Sequence, residues 1–154
     1  MSATTSKKIH TLLIASLLVA VLILGSCTKE TEEVGDGVKW LASYDEAIRI
    51  AENKDVPIMI DFYADWCGWC KRLDKDTYVD ADVMLKAKKF ISLKIDADVE
   101  TDLASKYKVQ GLPTILFIDH KGEEIHRVVG YRRPVQFLDE MDLALRAFNG
   151  ERET

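Results

Sequence analysis

The sequence predicts a mixed α/β sheet of four to five strands with helices on both faces. Three patterns carry the prediction. Val56 to Tyr63 is a nearly continuous apolar run, as a strand buried on both faces requires. Phe90 to Asp96 alternates Ile91, Leu93 and Ile95 with Ser92, Lys94 and Asp96, the period of a strand with one apolar face. Helical spacing fills the segments between and around such runs.

The elements follow in order. Ser43 and Glu46 form a capping box, and Tyr44, Ala47, Ile48 and Ala51 fall at helical spacing behind it, so a helix runs to about Asn53. The apolar strand to Tyr63 is followed by a helix from Cys67 to about Tyr78. Asp80 can cap a further stretch to Lys89, ahead of the alternating strand. A short helix over about Thr101 to Tyr107 leads to Gly111-Leu112-Pro113. Thr114 to Asp119 is again apolar, Asp119 to Gly122 is a turn, and Glu124 to Val129 returns as the hairpin partner. Pro134 suits the first position of a last helix, whose buried stripe is Phe137, Leu138, Met141, Leu145 and Phe148. The two strands joined by a helical crossover are expected to be parallel and the last two antiparallel.

The chain of 154 residues is sized for one domain, and 47% hydrophobic residues exclude disorder. A net charge of −5 excludes the basic face of a nucleic-acid binder. The apolar excess is concentrated near the start. Lys7 and Lys8 precede 13 residues, Leu12 to Leu24, that have the length of a secretory signal core and fall short of the roughly 20 of a spanning helix; an uncleaved N-terminal anchor is the alternative, since the uncharged stretch between Lys8 and Lys29 is 20 long. Leu24-Gly25-Ser26-Cys27 ends the run. Its small residues suit a signal peptidase, and it resembles the lipobox of bacterial lipoproteins, in which the cysteine is acylated. The expected organisation is a signal at 1–26, acylated Cys27 with a polar tether through residue 38, and a folded domain at 39–154. Losing Lys7 and Lys8 leaves 19 basic against 26 acidic residues, a mature charge of −7. An odd cysteine in an exported protein needs an explanation, and acylation of Cys27 supplies it.

Cys67 and Cys70 remain as a pair separated by Gly68 and Trp69, at the start of a helix directly after a strand. There the first thiol meets unpaired backbone N–H groups that favour its thiolate, and the second lies one turn in. Cys67 can attack a disulfide and Cys70 can resolve the mixed product. Zinc is disfavoured, because four ligands are normally needed and no second cysteine pair exists. His120 and His126 read as residues of a solvated hairpin. A structural staple is also disfavoured, since so short a loop removes little unfolded-state entropy. Asp61 is the only charge in Ile58-Met59-Ile60-Asp61-Phe62-Tyr63, so its carboxyl is expected to have a raised pKa unless it points to solvent at the strand end.

The run Asp61 to Lys71, DFYADWCGWCK, with Gly111-Leu112-Pro113-Thr114 downstream, resembles the thioredoxin superfamily. It is most similar to the C-terminal periplasmic domain of DsbD-type thiol–disulfide interchange proteins. The similarity spans about residues 40–148 and implies a thioredoxin fold. It implies that Pro113 is the cis-proline beside the active disulfide, that Asp61 is the buried acid behind the second cysteine, and that Lys94 accompanies that acid. It also makes Asp74 a second acid of the site, although Lys94 and Asp74 read equally well as solvated charges. Trp66 is expected to shield the disulfide. Trp69 departs from the proline usual in thioredoxins.

The implied function is protein-disulfide reduction in the bacterial envelope, by a monomer facing the periplasm with no cofactor and no metal. Gly68-Trp69 lacks the histidine that strong oxidases place between the cysteines. The chain shows no nucleotide fingerprint, so a membrane protein is expected to donate the electrons. A disulfide oxidase or isomerase, or a non-catalytic binding module, is the alternative. Mass spectrometry of the native protein should find Cys27 as an acylated N-terminus; an intact Met1 or an unmodified Cys27 overturns the export reading.

Overall fold

The computed structural model describes residues 37–150. The expected lipidation site, Cys27, and the signal before it lie outside them. Helix α1 spans Tyr44–Lys54, with the Ser43 hydroxyl accepting from the Glu46 N–H at 3.3 Å. Asp55 closes it in the left-handed region at φ 51°, donating its N–H to the Ala51 and Glu52 carbonyls. Strand β1 is Ile58–Tyr63. Two residues of the expected strand stay outside it, because Pro57 brings no N–H to the ladder; its carbonyl accepts from Ile91 N–H instead.

The expected Cys67–Tyr78 helix is real but not uniform. Helix α2 covers Gly68–Arg72 and passes into a π turn, Leu73–Thr77, closed by a Tyr78 N–H to Leu73 O bond of 2.9 Å. Helix α3, Ala81–Ala87, is capped by Asp80, whose carboxylate accepts from the N–H groups of Asp82 and Val83. Then come β2 (Ile91–Asp96), α4 (Thr101–Lys106), β3 (Thr114–Ile118), β4 (Glu124–Val129) and α5 (Pro134–Phe148).

The sheet order is β2-β1-β3-β4, with β1 and β2 parallel and the other pairs antiparallel. A single parallel bridge between Leu41 and Leu93 marks where a fifth strand would lie. Val38, assigned to the tether from sequence, is buried and donates its N–H to the Tyr78 carbonyl at 3.0 Å, so the folded part takes it in.

Alternation along β1 divides the core. Ile58, Ile60 and Phe62 face one side with Leu93, Leu116 and Ile118, under Ala47 and Ala51 of α1 and partly buried Leu103 of α4. Met59 faces the other side with Ile115 and Phe117, under Leu73, Tyr78, Val83 and the α5 residues Phe137, Met141 and Ala144. The α5 stripe is thus centred one position from the expected one: Ala144 is fully buried, whereas Leu138 and Leu145 are only partly so. The polar positions of β2 also differ from expectation. Ser92 is 6% exposed and the Lys94 side chain 18%, because the Tyr78 side of the sheet is covered rather than solvated.

Phe137 sits at the centre of that second core, in ring contact with Tyr78 and Phe117. Phe137→Ala should lower the urea-unfolding free energy by about 3–5 kcal/mol, and Val135→Ala, on the exposed face of the same helix, by less than about 0.5 kcal/mol. Equal losses would place the core elsewhere.

Candidate functional site

Cys67 and Cys70 are joined in a disulfide. The turn before α2 builds the pair: Cys67 N–H donates to the Ala64 carbonyl at 3.0 Å, and Cys67 takes the N-cap position in an extended conformation. Its Sγ accepts the Cys70 N–H at 3.1 Å. An orphan donor of the helix end is thereby satisfied by sulfur, an arrangement that also stabilises the sulfur as a thiolate. Residue exposure falls from 4% at Cys67 to 1% at Cys70.

The two cysteines pack with Ala64, Tyr63 and Leu112. Leu112 belongs to the loop that closes on them, and the Leu112–Pro113 peptide bond is cis. Pro113 is buried, and its carbonyl accepts from Gly130 N–H at 2.8 Å, which ties this loop to the end of β4. Trp66 adjoins Cys67 in sequence. It is 71% exposed, and its indole N–H donates to Asp98 Oδ2 at 2.7 Å, drawing the ring toward the loop after β2. Trp69 is also exposed; it lies 5.7 Å from the Tyr131 ring, and the Arg72 guanidinium stands over both rings.

Asp61 is fully buried, which rules out a solvated strand-end charge. It shares the sheet face of Met59, on the side where the π turn packs. The parallel register places Lys94 directly beside it, with Nζ 3.3 Å from Oδ2. This is an ion pair without hydrogen-bond alignment, and both Asp61 oxygens lack a hydrogen-bond partner among the described residues. Lys94 Nζ also bonds Asp74 Oδ1 on the π turn. It lies 5.1 to 5.5 Å from the rings of Trp40, Tyr63 and Tyr78, close enough for cation–π attraction. The structure therefore brings Asp61, Lys94 and Asp74 together.

Burial pushes the Asp61 carboxyl up to about 6; Lys94 opposes the rise and Asp74 adds to it. A carboxyl that gains and loses its proton near neutrality is suited to exchange with a thiol. Trp40, Arg72, Tyr78 and Tyr131 were not singled out from sequence. An aromatic spacing shows that a ring is present but not which charge it will cover.

Among the described residues no cluster of side chains could hold a metal ion, and His126 is not solvated as expected. It stacks on Phe117 and its Nε2 lies 2.6 Å from Glu140 Oε2. No helix among the described residues is long and apolar enough to cross a membrane.

Comparison with known proteins bears on this geometry. The thioredoxin-like domain family matches residues 44–145. The chain is 37% identical over 113 residues to the thiol:disulfide interchange protein DsbD of Ralstonia nicotianae, covering 70% of this chain and 19% of that protein. Among solved structures, a Thermus thermophilus thioredoxin superposes with a TM-score of 0.64 at 25% identity, over 72% of this chain and 90% of its own. A Bacteroides thetaiotaomicron protein described as a candidate disulphide isomerase gives a TM-score of 0.61 at 34% identity, over 71% and 94%.

A raised folded-state pKa at Asp61 has a defined consequence for stability. Between about pH 4 and 6 the unfolded chain ionises this carboxyl while the folded protein keeps it protonated, at a folded pKa of about 6. Stability is therefore full below that window, falls across it by on the order of 3 kcal/mol, and is level above it. Asp61→Asn should remove that fall, read as the difference between the two proteins' urea-unfolding free energies from pH 4 to 8. Superimposable curves would mean that Asp61 ionises in the folded protein as it does in water.

Proposed function

The chain belongs to the thioredoxin-like domain family, and on that premise we propose that it is a thiol–disulfide oxidoreductase that reduces protein disulfides through Cys67 and Cys70. The observation that carries the reading is the cysteine pair at the mouth of α2, with Cys67 Sγ accepting a backbone N–H and Cys70 more deeply set.

In the reduced protein the Cys67 thiolate attacks one sulfur of a partner's disulfide. The Cys67–partner bond forms, and the partner's second sulfur leaves as a thiolate. Cys70 then passes its thiol proton to the Asp61 carboxylate and attacks Cys67 Sγ. The Cys67–Cys70 disulfide forms, the mixed disulfide breaks, and the partner's first sulfur leaves as a thiolate. Two electrons have moved from this protein to the partner. The Pro113 loop supports the encounter, since proline has no N–H to compete when an extended segment aligns beside the disulfide.

Reduction is the favoured direction because nothing between the cysteines adds charge to the Cys67 thiolate. Trp69 stacks outward, and the Arg72 cation behind it is held by Asp76 at 3.1 Å. The chain spans about a fifth of the length of the curated relatives it matches. Each round of reduction leaves the Cys67–Cys70 disulfide, which needs two electrons from a donor before the next. The N-terminal pattern supports an envelope location, anchored through lipid on Cys27, with a membrane protein as donor.

Cys70→Ser should accumulate mixed disulfides with partner proteins, visible on non-reducing gels. Cys67→Ser should trap few, and both should lose insulin reduction. The reverse trapping pattern would exchange the roles of the two thiols; full activity in either variant would end the redox reading.

A further inference from the structure

Tyr78 is a buried titratable group that the exchange chemistry leaves unused. It closes the π turn and is 2% exposed. Its ring packs edge-on against Trp40 at 4.8 Å and Phe137 at 5.6 Å. Phenylalanine would satisfy both contacts equally well, so packing does not account for the hydroxyl. A buried hydroxyl without a partner is destabilising. Yet Tyr78 Oη has no hydrogen bond of ordinary geometry among the described residues, and the same is true of Asp61 Oδ1 and Oδ2.

Both residues border the same ammonium: Lys94 Nζ stands 3.3 Å from Asp61 Oδ2 and 5.5 Å from the Tyr78 ring. The other groups around that carboxyl leave it short of donors. Lys94, from β2, is shared with Asp74 of the π turn, which is itself an acceptor. From β3 comes the apolar Ile115, beside Asp61 in register. Cys67 and Cys70, which the proposed reaction sets beside it, are tied up in their disulfide. A carboxylate only accepts hydrogen bonds, and a phenol can donate one.

We propose that Tyr78 is a positioning residue for Asp61: its hydroxyl donates a hydrogen bond to the carboxylate when Asp61 is charged, and accepts one from the carboxyl when it is protonated. The bond to the charged form is the stronger of the two. Tyr78 therefore holds the proton affinity of Asp61 below the level that burial alone would set. The hydrogen bond itself does not depend on the proposed reaction; its value to turnover rests on Asp61 accepting the Cys70 proton.

The test is a titration of the Asp61 side-chain carboxyl by carbon-13 NMR in the oxidised full chain, for wild type, Tyr78→Phe and Tyr107→Phe. Tyr78→Phe should raise the Asp61 midpoint by about one pH unit, the equivalent of losing one hydrogen bond to a charged group. Tyr107→Phe, which removes a hydroxyl bonded to Tyr44 in the other core, should leave it unchanged. An unchanged or lowered midpoint in Tyr78→Phe overturns the proposal. The insulin-reduction rate against pH, measured on the same proteins, separates the two ideas. Its acid limb should move upward with the Asp61 midpoint. A midpoint that moves while the rate profile stays fixed would refute Asp61 as the proton acceptor and leave the Tyr78 hydrogen bond standing.

Discussion

A carboxyl group in the middle of an apolar strand must be held by whatever surrounds it, and much of this structure can be read as the means of holding Asp61. Placing a lone charge there is costly enough that the group either finds a partner or keeps its proton. Here it does some of both. Lys94 arrives from the neighbouring strand by register alone, since the parallel pairing sets residue 94 beside residue 61. The ammonium is then covered by Trp40, Tyr63 and Tyr78, which limit its contact with water without neutralising it. Burial outweighs that ion pair, and Asp74, which also draws on the ammonium, adds to the rise, so the Asp61 carboxyl stays above its ordinary range.

The π turn is the backbone counterpart of this arrangement. A regular helix through 68–78 would advance 100° per residue, and the one residue gained between Arg72 and Tyr78 changes which side chains face the sheet. With it, Leu73 and Thr77 are buried, Asp74 reaches Lys94, and the Tyr78 ring enters the core. Thr77 Oγ1 donates to the Arg132 carbonyl at 2.7 Å, anchoring the turn to the segment before α5. Irregular helical turns of this kind recur at functional sites, and here the irregularity is what joins the cysteine helix to the buried charge.

The parts of the sequence that were legible are those with a period. β1, β2 and the hairpin followed from alternation and turn chemistry, and α1 and α3 from their caps. The π turn was not legible, because an i to i−5 bond closed over five residues leaves no repeat to detect. The polar face of β2 was misread for a different reason. Ser, Lys and Asp at alternate positions predict solvent, but Trp40 and the π turn cover that face, and neither is visible from the strand itself. The hydrogen bond from Trp66 to Asp98, 32 residues away, was equally out of reach of a local pattern. Asp61 was legible because it breaks its own pattern.

Charge balance explains how such a site could drive resolution in one direction. With Asp61 protonated, Lys94 and Asp74 cancel, and the buried group carries no net charge. With Asp61 ionised, the same three residues carry one negative charge in a region where little water can screen it. In the proposed exchange the carboxylate exists before Cys70 attacks and the neutral acid after it. The Cys70 proton moves onto Asp61, and the charge leaves with the partner's thiolate. The step that closes the Cys67–Cys70 disulfide therefore removes a buried charge, and the same desolvation that raises the Asp61 pKa favours closing it. Of the three charged groups only Asp74 is half-exposed, so the site meets solvent on the side of the π turn. A fully buried, well-paired carboxylate would hold no such bias, and a solvated one would have none to release.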